Sequence, residues 1–148
     1  AVIFADLSAD RTRDVIFDWK KVISFEGETG PYLQYTHARC TSILRKAATK
    51  ARKKPDLSLL TTDQETALIK HLAFFPQAVK EAAASYKPSV IAHYLLKTAA
   101  LFNVFYEHCP ILKETEDLRN ARLIVVEATK TVLATGLSLL GMKAPDEM

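Results

Sequence analysis

Residues 29–54 read TGPYLQYTHARCTSILRKAATKARKK, and their spacing decides the fold class. Leu33, Cys40, Ile43, Leu44, Ala47, Ala48 and Ala51 recur three, four and seven positions apart, the pattern of a helix that buries one face. Thr29 stands where its hydroxyl can cap the first turn, and Pro31 falls inside that turn, where a missing N–H costs least. The helix is therefore expected from Tyr32 onward, and Pro55 ends it.

The same periodicity continues downstream. Thr62 or Asp63 caps a second helix running to about Phe75, with Leu68, Ile69 and Leu72 facing inward. Pro76 separates it from a short helix, Gln77–Tyr86. Pro88 opens a long helix on which Ile91, Tyr94, Leu95, Thr98, Phe102 and Phe105 share a face, and Pro110 stops it. A last helix is expected from Glu116 to Leu140, with Leu118, Val125, Val132, Leu133, Leu139 and Leu140 inward; Gly141 is a C-cap candidate and Pro145 forbids continuation. Ile124-Val125-Val126 has strand-like β-branching, but the surrounding three-to-four period outweighs it. Upstream, a short helix near Val2–Ser8 and a helix start from Asp14 to Lys21 precede Ser24-Phe-Glu-Gly-Glu-Thr-Gly-Pro31, a loop by composition. The expected fold class is all-α, a helical bundle.

Composition supports that class. With only four glycines and six prolines in 148 residues, a turn-rich sandwich or barrel is disfavoured. A hydrophobic fraction of 49% excludes wholesale disorder, and a chain of this length buries roughly 68–70% of its unfolded surface without needing staples. Cys40 and Cys109 lack metal or disulfide spacing and read as reduced thiols of a cytoplasmic-type protein. No run of 18 apolar residues and no signal-peptide pattern occurs, so no membrane association is expected. The chain opens at Ala1 rather than methionine, as a fragment or processed product does.

A net charge of +3 says little until its placement is considered. Between Thr36 and Lys54 there are seven Lys/Arg and no Asp or Glu. At about 100° per residue, Tyr32, Tyr35, Arg39, Lys46, Lys50 and Lys53 fall in one sector beside the apolar face. Rings followed by cations along a ridge suit a nucleic acid, whose bases stack and whose phosphates pair with the cations. The same spacing also describes a solvated basic face with two tyrosines packed at a helix start.

Catalytic candidates are poor. His37, His71, His93 and His108 have no metal-ligand spacing and read as surface or partly buried residues. Ser24 and Ser42 lack a nucleophile-elbow setting, and Cys40 sits on the core face. Glu26 and Glu28 read as loop carboxylates, and Gly27 and Gly30 belong to no nucleotide-binding loop. Phe17, Trp19 and Phe25 form an aromatic group that reads as a packing anchor between this segment and either the bundle or a further domain. Tyr106 stands at the margin of its apolar face, and Met148 ends a polar tail. No metal site, cofactor or catalytic residue is expected in the chain itself.

Longer ordered stretches carry a resemblance. Phe17-Asp18-Trp19 followed by Ser24 through Arg39 resembles the segment of arginyl-tRNA synthetases that leads out of the catalytic domain. His93-Tyr94-Leu95, Phe102 through Tyr106, Cys109-Pro-Ile-Leu112, Arg122-Leu123 and Val132 through Met142 resemble that family's helical anticodon-binding domain, as does the ending Ala144-Pro-Asp-Glu-Met148. The resemblance implies a division into residues 1–31, the exit segment and connecting loop, and residues 32–148, the anticodon-binding domain. It implies a class I ligase as the parent enzyme, joining arginine to tRNA with ATP and magnesium in the cytoplasm. The family's His-x-Gly-His and Lys-Met-Ser-Lys-like signatures are absent here, so this chain alone is expected to be inactive.

By position, the resemblance assigns Tyr35 and Arg39 to the anticodon loop, with Tyr32 one turn earlier. Tyr106 and Met148 would shape an apolar base pocket, Lys46 and Lys50 would meet phosphates, and the loop Ser24–Thr29 would lie near the anticodon stem. Many members carry Asn where this chain has Glu28. The implied partners are arginine tRNA and the catalytic domain of the same enzyme, with a multi-synthetase assembly as a further one. The competing reading from the residues is a helical protein–protein module without specific tRNA reading.

Overall fold

The computed structural model describes residues 1–9, 18–24, 27–47 and 55–148. Among these every regular element is a helix and there is no strand. The elements are α1 (Val2–Ser8), α2 (Trp19–Val22), α3 (Gly30–Ala47), a 3-10 turn at Leu57–Leu59, α4 (Asp63–Ala73), α5 (Phe75–Ser85), α6 (Pro88–His108) and α7 (Glu116–Leu139). The all-α expectation holds. Ala48, Lys50, Ala51, Lys53, Phe17, Phe25 and Glu26, all named above, lie outside the described residues.

Helix starts follow local chemistry. Thr29 Oγ1 accepts the Tyr32 N–H at 3.2 Å and donates to the Ser24 carbonyl, so one hydroxyl caps α3 and closes the preceding loop. Thr62 and Glu65 form a capping box: Thr62 Oγ1 accepts the Glu65 N–H, and Glu65 Oε2 accepts the Thr62 N–H at 2.8 Å. After α7 the chain turns through Gly141 at φ +71°. The Met142 N–H donates to the Leu137 carbonyl at 2.8 Å and the Gly141 N–H to Ser138, a Schellman ending.

α3, α6 and α7 form the spine, each contributing to two apolar clusters. Leu33 of α3, Leu95 and Ala99 of α6 and Leu133 and Leu137 of α7 meet Phe4 of α1 in the first. Cys40 and Ile43 of α3, Phe102 and Phe105 of α6 and Leu123 and Val126 of α7 enclose Leu68 of α4 in the second. A Cβ on Gly136 would come within 2.5 Å of a Leu95 methyl, so α6 and α7 approach closely because that position is glycine. Between α4 and α7, Arg122 Nε donates to Glu65 Oε1 at 2.7 Å and Arg122 donates to the Pro110 carbonyl at 2.6 Å.

Four details depart from the sequence reading. Ile69 and Leu139 are exposed rather than inward. Leu68 and Leu137 take the core positions, and a residue one or two steps further on a helix points about 100–200° away. α5 begins at Phe75, so Pro76 lies inside its first turn instead of separating two helices. His37 is buried, at 2% exposure, because the C-terminal tail covers it. Of the aromatic group near the N-terminus, Trp19 is described and is 64% exposed.

Candidate nucleic-acid interface

α3 carries the aromatic and basic ridge past α6, and three residues of α6 organise it. The Arg39 guanidinium lies over two rings, 4.7 Å from the centroid of Tyr35 and 5.4 Å from that of Tyr106. It donates to Tyr35 Oη at 2.8 Å and, more weakly, to Asn103 Oδ1 at 3.4 Å. Tyr106 in turn stacks on buried Phe102, with centroids 6.2 Å apart and planes 23° apart. A cation clamped by two rings and a carboxamide has little rotamer freedom left to lose on binding.

An open groove of about 540 Å3 lies along this surface. Tyr35, Arg39, Lys46, Tyr106 and Met148 line it, together with Glu147. Five of the seven residues expected from the sequence are thus brought together, from three parts of the chain. Tyr35, Tyr106 and Met148 remain exposed enough to meet a ligand.

Tyr32 is not brought to the groove. It is half-buried against the first apolar cluster, and its hydroxyl accepts a hydrogen bond from Asn103 Nδ2 at 2.7 Å. Burial pushes the Tyr32 hydroxyl pKa up, against the opposing pull of Asn103 and Arg39. Its ring borders a separate cleft of about 510 Å3 with Glu28, His93 and Lys97. One turn along a helix moves a side chain too little around the axis to leave a face, but α6 covers Tyr32 and leaves Tyr35 open. Lys50 lies outside the described residues.

The tail that delivers Met148 is fastened to α3 at successive turns. Gln34 Nε2 donates to the Lys143 carbonyl at 2.8 Å. His37 Nδ1 lies 2.8 Å from the Pro145 carbonyl, and because a carbonyl only accepts, that nitrogen carries the proton. Thr41 donates to Asp146 Oδ1 at 3.0 Å, and the Lys130 ammonium of α7 pairs with the same oxygen at 3.0 Å. Lys130 first, then Thr41, holds the Asp146 carboxyl below the usual carboxylate range. Arg45 pairs with Glu147.

Asn103, Arg45, Asp146 and Glu147 were missed in the sequence reading. The polar positions 34, 37, 41 and 45 do recur at three- and four-residue spacing beside the apolar face, a signal that something polar lies along them. Nothing in that spacing says it is the chain's own tail. Among the described residues no group of three His, Cys, Asp or Glu could hold a metal ion, and no helix is long and apolar enough to cross a membrane.

Comparison with known proteins identifies relatives of the chain and of its fold. The family described as DALR anticodon binding domain matches residues 33–148. The chain is 50% identical over 151 residues to an arginine–tRNA ligase of Chloroflexus aggregans and 47% identical over 148 residues to one of Alkaliphilus metalliredigens, covering 100% of this chain and 26% of each relative. The solved arginyl-tRNA synthetase of Thermus thermophilus superposes with a TM-score of 0.93 at 42% identity, over 99% of this chain and 26% of that one. That of Plasmodium falciparum superposes with a TM-score of 0.87 at 28% identity, again over 99% and 26%. This chain therefore spans about a quarter of the length of the relatives it matches. By the family match over its helical bundle, the chain belongs to the DALR anticodon-binding domain family.

Proposed function

We propose that the groove beside α3 reads the anticodon loop of arginine tRNA, as the recognition part of an arginine–tRNA ligase acting in the cytoplasm. In this reading residues 32–148 are the recognition domain and residues 1–31 lead out of the catalytic domain. ATP and magnesium belong to the catalytic part, and the present residues supply binding. The observation that carries the reading is the clamped Arg39 between Tyr35 and Tyr106 in a groove that Met148 also lines. Bases splayed from a loop stack on exposed rings, an apolar side chain excludes a base of the wrong shape, and Lys46 meets a phosphate without reading sequence.

The test is binding of two RNA hairpins, one with an arginine anticodon loop and one with those loop bases changed, across a range of salt. The expected result is a preference for the arginine loop and a steep fall of affinity with salt. Tyr106→Ala should remove about 1–3 kcal/mol of binding to the arginine loop, the worth of one base stacked on a ring. Lys46→Ala should weaken both hairpins equally. Equal binding of the two hairpins, unchanged by Tyr106→Ala, refutes base reading. Affinity for a protein partner that ignores salt, with no RNA preference, would favour a protein–protein module.

A further inference from the structure

We propose that Glu147 is an exchangeable counter-ion, which an RNA phosphate displaces from Arg45 when RNA enters the groove. The inference rests on the functional reading above and concerns only the ion exchange within it.

The tail has two kinds of fastening. Lys143, Pro145 and Asp146 are tied by Gln34, by buried His37, and by Thr41 with Lys130. Those contacts hold the backbone up to position 146 whatever happens at Glu147. The Arg45–Glu147 pair is different, with side chains 64% and 72% exposed. Exposed pairs of this kind contribute little net stability, because water screens them and two long side chains must be ordered. A phosphate offers the same guanidinium a comparable charge-assisted acceptor, and it arrives on a ligand that also gains stacking. Arg45, Lys46, Tyr106 and Glu147 line one groove, so a strand lying in it meets Arg45 with its carboxylate already in place.

Two consequences follow from the exchange. The released carboxylate takes up a cation from solution as the phosphate gives one up, so this contact adds little to the salt dependence. Glu147 also lowers affinity for every RNA that reaches the groove by the same factor, because it competes for a phosphate and reads no base. Discrimination between loops stays with Tyr35 and Tyr106.

The experiment measures hairpin binding by the full chain across salt for the wild type and for Glu147→Gln, each with Arg45 intact and as Arg45→Gln. Glu147→Gln is expected to tighten binding of both hairpins by about two- to fivefold, the ratio between them unchanged. Its plot of log affinity against log salt should steepen by about 0.7–0.9, one phosphate contact. Neither change should appear in the Arg45→Gln background. Glu116→Gln alters net charge equally without removing the partner of Arg45 and should have a smaller effect. An effect of Glu147→Gln that equals that of Glu116→Gln, or that persists without Arg45, overturns the proposal. Unchanged slope with intact loop preference overturns the exchange alone, whereas loss of loop preference in the wild type overturns the functional reading alone. Absence of any RNA binding overturns both.

Discussion

Replacing Glu65 by glutamine keeps the shape of the capping box and removes the charge that faces Arg122. Glu65 is fully buried, and the Arg122 side chain is 7% exposed. Removing one partner of a buried ion pair costs about 3–5 kcal/mol, chiefly because the other charge is left in a poor solvent. Here the guanidinium retains the Pro110 carbonyl at 2.6 Å and a Glu114 carboxylate oxygen at 3.4 Å, so the lower end, about 3 kcal/mol, applies. That is a large share of a domain stability of about 5–15 kcal/mol. It should lower the melting temperature by about 6–12 °C for a chain of this size. The pH dependence supplies an independent check. Burial alone would raise the Glu65 pKa, but the Thr62 N–H and the Arg122 guanidinium outweigh it and hold the carboxyl below its ordinary value. A depressed folded-state pKa means stability that is present above the unfolded-state pKa and lost as pH falls through the folded one. The gap between wild type and Glu65→Gln should therefore be widest at neutral pH and close on acidification. Urea unfolding followed by far-UV circular dichroism across pH measures it. A loss below about 1 kcal/mol at neutral pH, or a gap that does not narrow in acid, refutes the argument.

Gly136→Ala should destabilise by about 1–2 kcal/mol, although alanine is the better helix former, because the new methyl meets Leu95 in a fully packed site; adding Leu95→Val should recover part of the loss in a double-mutant cycle. Burial pushes the Cys40 thiol up to about 12, so in a Cys109→Ala background a thiol reagent should label Cys40 only at the rate of unfolding, and rapid labelling of the native chain would contradict the packing. Arg39→Lys should weaken arginine-hairpin binding nearly as much as Arg39→Ala, since an ammonium does not lie flat across Tyr35 and Tyr106 while donating to Asn103; full retention of affinity by the lysine variant would show that charge alone suffices.

The helices were legible because their causes are local. Apolar period, the Thr62 cap, Pro88 and Gly141 act within a turn or two of chain, and each element they mark is present. Errors arose where a residue's environment depends on what packs over it. Ile69 and Leu139 are apolar side chains beside a core position, and only the neighbouring helices determine that they stay exposed. Tyr32 and Tyr35 share one ridge in the sequence, yet Asn103 and the first apolar cluster claim the former.

For the groove, the residue types and the single helix that carries most of them followed from sequence alone, since a fixed helical period sets which side chains share a face. Bringing Tyr106 and Met148 to Tyr35 and Arg39 required the tertiary fold. Contacts across 64 to 109 positions, from Arg39–Asn103 to Gln34–Lys143, have no local signature. The tail also changes the electrostatics of the ridge, because Glu147 on Arg45 and Asp146 beside Thr41 bring carboxylates to a stretch that contains none of its own. Periodicity determines which way each side chain points from its own helix axis, but the charge and shape of a groove depend on which distant segments the packed core places beside it.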